Sequence, residues 1–391
     1  MPGTDADAAA IVFPRRGRGR LSPPDRYAEL RATDGLVRSA LPNGTAVWLV
    51  SRHEEVRAVL TDARFSSNPK HDGFPQIGRN GTVPDQLPGW FVAYDPPDHG
   101  RFRKALMPEF TLRRIREMRP AIQRVVDARI DDLLARGDSA DLVARFAQPV
   151  PSLVICELLG VPYSDHEYFE SRTQTLVTFG STDDQRDQAA KELLEYLVKM
   201  IAVKQRFPRD DMMSRLLASG VMSEQELTGA ALLLLIAGHE TTANSIALGT
   251  VLLLLHPEWI GDERVVEEVL RYLSIADVVP LRVAVEDVEI GGQLIRAGEG
   301  VAPLMAAANH DSTVFDRAGR FDPGRPARGH VAFGYGVHQC IGQHLGRVEM
   351  EIAFETLFRR VPTLRLTSPV EVLPFKLDSV LFGLHRLPVC W

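Results

Sequence analysis

The most apolar stretch of the chain runs from Ala230 to Leu255, and its hydrophobic positions do not segregate to one side. Only its middle is polar, where His239, Glu240, Thr241, Thr242, Asn244 and Ser245 cluster. The stretch is long enough to cross a bilayer, but those central side chains would be costly in lipid. A helix apolar on nearly every side with a polar centre is expected instead as the buried spine of a large soluble protein. Ser223 and Glu226 have capping-box spacing ahead of it, and Pro257 stops it. Helical spacing also predicts a helix over 51–60, where Val56, Val59 and Leu60 follow a cap-competent Ser51. Another starts at Asp95-Pro96-Pro97-Asp98, and several run from Arg119 to Leu217 with breaks near Gly137, Gly160-Val161-Pro162 and Phe207-Pro208. Strand patterns are few: 45–50 early, then 281–285 and 288–290. Residues 66–94 have no period and many Gly and Pro, a long irregular loop of the kind that tends to carry function. The expected fold class is mainly α with small β-sheets.

The 391 residues, 45% hydrophobic and 25% charged, are ordinary globular composition and allow one large domain or two smaller ones. A net charge of -6 points away from a nucleic-acid partner. Locally, Arg101, Arg103, Lys104, Arg113, Arg114, Arg116 and Arg119 form a basic stretch that is either a solvated helix face or a docking patch. Cys156, Cys340 and Cys390 are odd in number and far apart, which argues against a disulfide framework and for a reducing, cytoplasmic location. At the N-terminus acids precede a short apolar run and arginines follow it, the reverse of a secretory signal. Residues 1–12 are expected to be a flexible leader with no membrane anchor.

Candidate chemistry concentrates in Phe333-Gly334-Tyr335-Gly336-Val337-His338-Gln339-Cys340-Ile341-Gly342. The glycines permit turn geometry and close approach, and the periodic segment from Ile341 puts Cys340 at a helix start, where free N–H groups and the helix dipole favour thiolate. A buried structural cysteine is the plainer alternative. His338, Cys340 and His344 are near one another, but no second Cys or His pair stands at zinc-site spacing. The glycines also lack the spacing of a nucleotide-binding loop. In the polar centre of the long helix, Ala237 and Gly238 are small enough for a flat group to lie against them, and Thr241 is one turn from Ala237, within reach of its carbonyl. Glu240 would be costly to bury without a partner or a job.

Together these two segments resemble the haem-binding loop and the oxygen-activation segment of cytochromes P-450, and the likeness extends from about Phe13 to Trp391. The resemblance implies a single domain over 1–391 with the cytochrome P-450 fold. It also implies haem b with Cys340 as axial thiolate, a ligand that pushes electron density toward bound oxygen. Ala237, Gly238, Phe333, Gly334, Gly342 and Gly346 would lie beside the haem, and His99, Arg103, Arg282 and His338 would meet its propionates. Thr241 would hydrogen-bond the oxygen bound at the iron while Glu240 relays protons from solvent. Glu268 and Arg271, completed by Arg325, would be a structural ion cluster. The implied activity is hydroxylation or epoxidation of a bulky lipophile such as a macrolide or other polyketide. It would use dioxygen and electrons from a ferredoxin and ferredoxin reductase, docked on the basic stretch. The substrate would be lined by the loop 66–94, the segment 163–179 and the late loop 379–382. Phe91, Val92, Leu233, Ile236, Val278, Val279 and Phe382 are the expected contacts. Oxidative coupling or ring formation, and a non-catalytic haem carrier or sensor, are the alternatives. Two departures from the family pattern stand out: Gly346 replaces the usual alanine, and the link from His256 to Glu268 is about two helical turns short.

Overall fold

The computed structural model describes residues 21–41, 43–76, 87–178, 180–377 and 379–391. The leader, the middle of the irregular loop (77–86) and Phe179 lie outside the described residues. The helices, in chain order, are α1 (Arg26–Ala32), α2 (His53–Thr61), α3 (Asp98–Leu106), α4 (Leu112–Ala135), α5 (Pro149–Leu159), α6 (His166–Val177), α7 (Asp183–Arg206), α8 (Met212–Ser219), α9 (Glu224–Leu255), α10 (Val265–Leu273), α11 (Met305–Asn309) and α12 (Gln343–Arg360). The strands are β1 (Val37–Ala40), β2 (Ala46–Val50), β3 (Phe65–Ser66), β4 (Ser139–Asp141), β5 (Arg282–Ala284), β6 (Val288–Ile290), β7 (Gln293–Ile295), β8 (Gly300–Pro303), β9 (Arg365–Leu366) and β10 (Pro388–Cys390). A five-stranded sheet has the order β1-β2-β8-β5-β3, with β2 and β8 parallel, and β4-β10-β9 form a second sheet. The α1 helix and β1 strand fall in a region whose Pro and Arg hide any period in the sequence.

The long apolar stretch is α9, about 48 Å of helix at 1.5 Å per residue. Ser223 Oγ accepts from the Glu226 N–H (3.2 Å), and Glu226 Oε2 accepts from the Ser223 N–H (2.9 Å), closing the expected capping box. Among the described residues this is the one helix long and apolar enough to cross a membrane, and most of it is buried in the protein. It packs on α5, α7, α10 and α12. Its polar residues are accommodated by bonding back one turn: Thr228 to Glu224 O, Thr241 to Ala237 O, Ser245 to Thr241 O and Thr250 to Ile246 O. Each hydroxyl thereby avoids the cost of an unpaired buried donor.

Between α9 and α10 the short link holds only the 3₁₀ turn Pro257–Trp259. Just beyond it lies a buried ion cluster. Glu268 receives both Arg271 Nε and Nη2 at 2.7 Å and Arg325 Nε at 3.1 Å. Arg271 also donates to the Asn309 and Ala318 carbonyls, and Arg325 to Arg320 O. One carboxylate cannot neutralise two guanidiniums, so the surrounding carbonyl oxygens complete the cluster and tie α10 to the segment leading to the cysteine loop.

Candidate functional site

The cysteine loop is set by its backbone. Gly334 and Gly336 have φ of +72° and +73°, a conformation that favours glycine. A Cβ on Gly336 would come within 2.6 Å of Leu60 O, so α2 and the loop approach as closely as they do only because that atom is missing. The Cys340 N–H donates to Phe333 O (2.8 Å), folding the loop back under its thiol. The helix that follows begins at Gln343, two residues later than the pattern suggests, with Gly342 as its cap. Arg347 on α12 stacks 4.6 Å over the Phe333 ring and pairs with Glu267 (2.5 Å). The Cys340 thiol is accessible but deeply recessed. Burial pushes its pKa up, while the Gly342 N–H, Arg103 and Arg347 favour the thiolate. Coordination to a metal cation would complete the deprotonation.

Across from the loop, a cavity of about 440 Å³ opens between α9, α6 and the late loop. Its lining includes the expected Val92, Leu233, Ile236, Ala237, Thr241, Val279, Arg282 and His338. The contact between Gly346 on α12 and Thr242 on α9, 3.6 Å from a Cβ built on Gly346, brings the two sequence segments together and leaves room for an alanine.

Several expected positions fall elsewhere. Phe91 is core and lies against the His99 ring; Val278 is buried with Tyr27 and Leu30; Phe382 stacks on Phe375. Their neighbours Trp90, Ala93, Ala276, Leu281, Val380 and Leu381 line the cavity instead. These are short irregular segments, where the side that faces inward cannot be read from a period. Gly238 faces α5, where a Cβ would lie 2.9 Å from Ile155 Cδ1, so its smallness serves helix packing and not the cavity.

One edge of the cavity carries more basic groups than acids: Asp95 acts on His99 and Arg282 from nearby, but its carboxylate accepts hydrogen bonds from Ser66 Oγ and the Ser67 N–H and pairs with neither. The His99 and His338 rings lie against each other, centroids 4.0 Å apart and planes tilted by 37°, and His338 Nε2 is 3.1 Å from Ser67 Oγ. Burial, then Arg103, lowers the His99 pKa to about 4. Burial, then Arg282, lowers that of His338 to about 3. Arg282 is itself held down to about 10 by burial, donates to Leu281 O and makes no ion pair among the described residues. His99 Nε2 is buried with no hydrogen-bond partner. Four nitrogen bases, His99, Arg103, Arg282 and His338, converging with a single carboxylate that is engaged by Ser66 and Ser67, form a site for an anionic group.

Glu240 points away from the cavity. Its Oε2 accepts from Lys376 Nζ (3.2 Å) and its Oε1 lies 3.6 Å from His239 Nε2, beyond hydrogen-bond range. Although burial raises a carboxyl pKa, His239 and Lys376 win and hold it at about 2. His239 Nδ1 faces Leu235 O (2.7 Å) and Nε2 faces Thr173 Oγ1 (2.9 Å), whose own proton goes to Phe169 O. The Glu240 carboxylate and the Leu235 carbonyl, working against burial, raise the pKa of this ring above that of a free imidazole. Lys376 and Thr173 were not visible from the sequence, because nothing in a pattern of residues places a distant lysine beside a helix centre.

A thiol at a glycine-shaped loop, facing a helix with a threonine-lined notch and an unbalanced basic edge, matches what a haem with a thiolate ligand requires. The model of the cytochrome P450 family matches residues 263–383. The chain is 45% identical to a vitamin D3 dihydroxylase of Streptomyces griseolus, over 99% of this chain and 98% of that protein. The chain belongs to the cytochrome P450 family. It is 42% identical to the 20-oxo-5-O-mycaminosyltylactone 23-monooxygenase of Streptomyces fradiae, over 99% and 95% of the two chains. The mycinamicin VIII C21 methyl hydroxylase of Micromonospora griseorubida, solved with mycinamicin VIII, superposes with a TM-score of 0.90 at 39% identity, covering 97% of this chain and 100% of that one. The cytochrome P450 fold is thus shown, and the family is haem-thiolate, monooxygenating and served by redox partner proteins.

Proposed function

We propose that this chain is a haem-thiolate monooxygenase acting on a bulky lipophilic natural product of the macrolide or wider polyketide class. The observation that carries it is that Ala237 and Thr241 line one cavity with Arg282 and with His338, two residues before Cys340, while His99 lies against His338 and Arg103 is within electrostatic reach of Cys340. The donor set fits haem: one cysteine for the iron, four nitrogen bases for two propionates, and an apolar notch for the ring. When bound, the haem supplies dioxygen activation and insertion of one oxygen atom, the other leaving as water.

The residues of the chain do the rest. Arg282 and the two histidines anchor the anionic edge. The Thr241 hydroxyl, bonded to Ala237 O at 3.0 Å, lies on the cavity side of α9, where it can turn to donate a hydrogen bond. Glu240 behind it, held by Lys376, is the group proposed to relay a proton from solvent, which it must first take up. Leu233, Ile236, Val279, Val380 and Leu381 exclude water and receive an apolar substrate. Relatives named for mycinamicin and tylactone substrates favour the macrolide reading.

The electron donor in this proposal is a ferredoxin with its reductase. The basic stretch divides: Arg101 pairs with Glu226, Arg119 with Glu351, and Arg103 turns toward Cys340. Lys104, Arg113 and Arg116 stay exposed, Arg113 with only a long 3.9 Å contact to Glu117, and these residues are the ones proposed to meet an acidic donor. The test supplies a ferredoxin system, oxygen-18 gas and mycinamicin-type macrolides. A product carrying one labelled oxygen is expected. Dioxygen consumption with no oxygenated product from any macrolide would defeat the substrate class. Charge reversal at Arg113 and Arg116 should slow reduction in a salt-dependent way, and unchanged kinetics would remove the docking assignment.

A further inference from the structure

Glu240 has two basic neighbours, Lys376 and His239, and both lead to one wall of the cavity. Lys376 is at the base of a hairpin, where its N–H donates to Gly383 O (2.8 Å) and Phe375 pairs with Leu384. The tip of that hairpin, Val380 and Leu381, lines the cavity. His239 is tied to Thr173 on α6, and the end of α6, Leu176 and Val177, lines the same cavity. The hairpin tip and the helix end are bonded to each other: Thr178 bridges Ser379, Ser379 Oγ donates to Val177 O (3.3 Å), and the Val380 N–H reaches the same carbonyl (3.4 Å). One hydrogen-bonded unit therefore forms the wall and carries the lysine that neutralises Glu240.

We propose that contact of a bulky substrate with the Val177–Val380–Leu381 wall draws Lys376 away from Glu240, so that Glu240 takes up one proton from solvent only when the cavity is filled. This rests on the monooxygenase reading and adds to it a coupling between occupancy and proton supply. Lys376 is a positioning residue in this scheme. The groups facing Glu240 are His239 on its own helix, Lys376 on the hairpin and Glu170 on α6. Glu170 is itself pushed toward its neutral form by burial, so Lys376 is the cation that can move without unfolding α9. With Lys376 and His239 both beside it the carboxyl lies at about 2 and holds no proton near neutrality. Withdrawing one raises it, since a buried carboxylate losing its partner is strongly disfavoured. A ligand can shift this equilibrium only through contacts that differ between the two states, and the wall supplies them.

The test measures binding, not turnover, on the haem-loaded protein. Imidazole binds the iron without reaching the wall; a biphenyl-substituted imidazole extends to it. Both affinities are read from the Soret shift across roughly pH 5.5 to 8 and corrected for ionisation of the azoles. In the native protein the affinity ratio, biphenyl-imidazole over imidazole, should rise as pH falls, by up to about tenfold per pH unit where one proton accompanies the ligand. Lys376→Met should flatten the ratio, because the counter-ion is gone before the ligand arrives, and Lys376→Arg should restore the slope. Glu240→Gln should also be flat. A flat ratio in the native protein, or a slope that survives Glu240→Gln, overturns the coupling while leaving the haem reading intact. If neither azole shifts the Soret band, the haem reading falls and the coupling with it.

Discussion

Replacing Arg282 by leucine separates what the basic edge is for from what it costs. The guanidinium is buried, with a carbonyl as its only hydrogen-bonded neighbour among the described residues, and loss of hydration lowers its pKa to about 10. That drop corresponds to about 3 kcal/mol against keeping the charge in the haem-free protein. A propionate removes the penalty and adds a charge-assisted hydrogen bond of about 1.5–3 kcal/mol. Arg282→Leu removes both terms, so haem binding should weaken by about 4.5–6 kcal/mol, roughly 10³- to 10⁴-fold. The haem-free protein should be no less stable, and by this reasoning more stable by up to about 3 kcal/mol. The assay pairs the rate of haem transfer to excess apomyoglobin with urea unfolding of the haem-free chain. Equal destabilisation of the haem-free and haem-loaded proteins would refute the reasoning, since it would make Arg282 a fold residue and not an anion site.

Glu268→Ala leaves two guanidiniums buried without their carboxylate, so the urea midpoint should drop by the equivalent of about 3–5 kcal/mol; a loss under about 1 kcal/mol would show that the carbonyls alone suffice. The two histidines give the haem-free protein a pH signature. Their folded pKa values, about 4 and about 3, lie below the ordinary 6.5, so the unfolded chain binds more protons. Their contribution to stability is full above about pH 6.5 and is lost as pH falls toward about 3, with a slope of up to about 2.7 kcal/mol per pH unit for two protons at about 1.36 each. His338→Gln should roughly halve that slope in urea titrations at stepped pH, and an unchanged slope would remove the ring from the buried cluster. Gly336→Ala forces a side chain to within 2.6 Å of Leu60 O at φ +73°, so haem content after expression should fall while far-ultraviolet dichroism changes little. Native haem content in that variant would contradict the close approach.

The sequence made the periodic and the punctuated elements legible. The buried spine, its capping box and its stop are local patterns, and α9 begins one residue after Ser223 and ends two residues before Pro257. Thr241's bond to Ala237 O followed from one-turn spacing alone. The cluster Glu268–Arg271–Arg325 needed the family resemblance for its third member, because no local rule links Arg325 to a helix over fifty residues earlier. What stayed hidden shares a physical cause. Phe91, Val278 and Phe382 belong to segments without a period, so inward and outward positions were interchangeable until packing chose between them. Gly238 packs on Ile155 of α5, a neighbour its residue type alone does not reveal, since a missing Cβ admits a cofactor and a packed helix equally well. Lys376 could be demanded by the cost of burying Glu240, but only tertiary contact says which lysine answers.

The central claim is that Cys340 is the thiolate ligand of a haem. The most direct measurement is the absorption spectrum of the reduced, carbon monoxide-bound protein, taken beside that of Cys340→Ser. The account predicts the red-shifted, thiolate-type Soret band in the native protein and its loss in the variant, with Cys156→Ser and Cys390→Ser leaving it in place. A band of the histidine-ligated type in the native protein, or a thiolate band that survives Cys340→Ser, would contradict it.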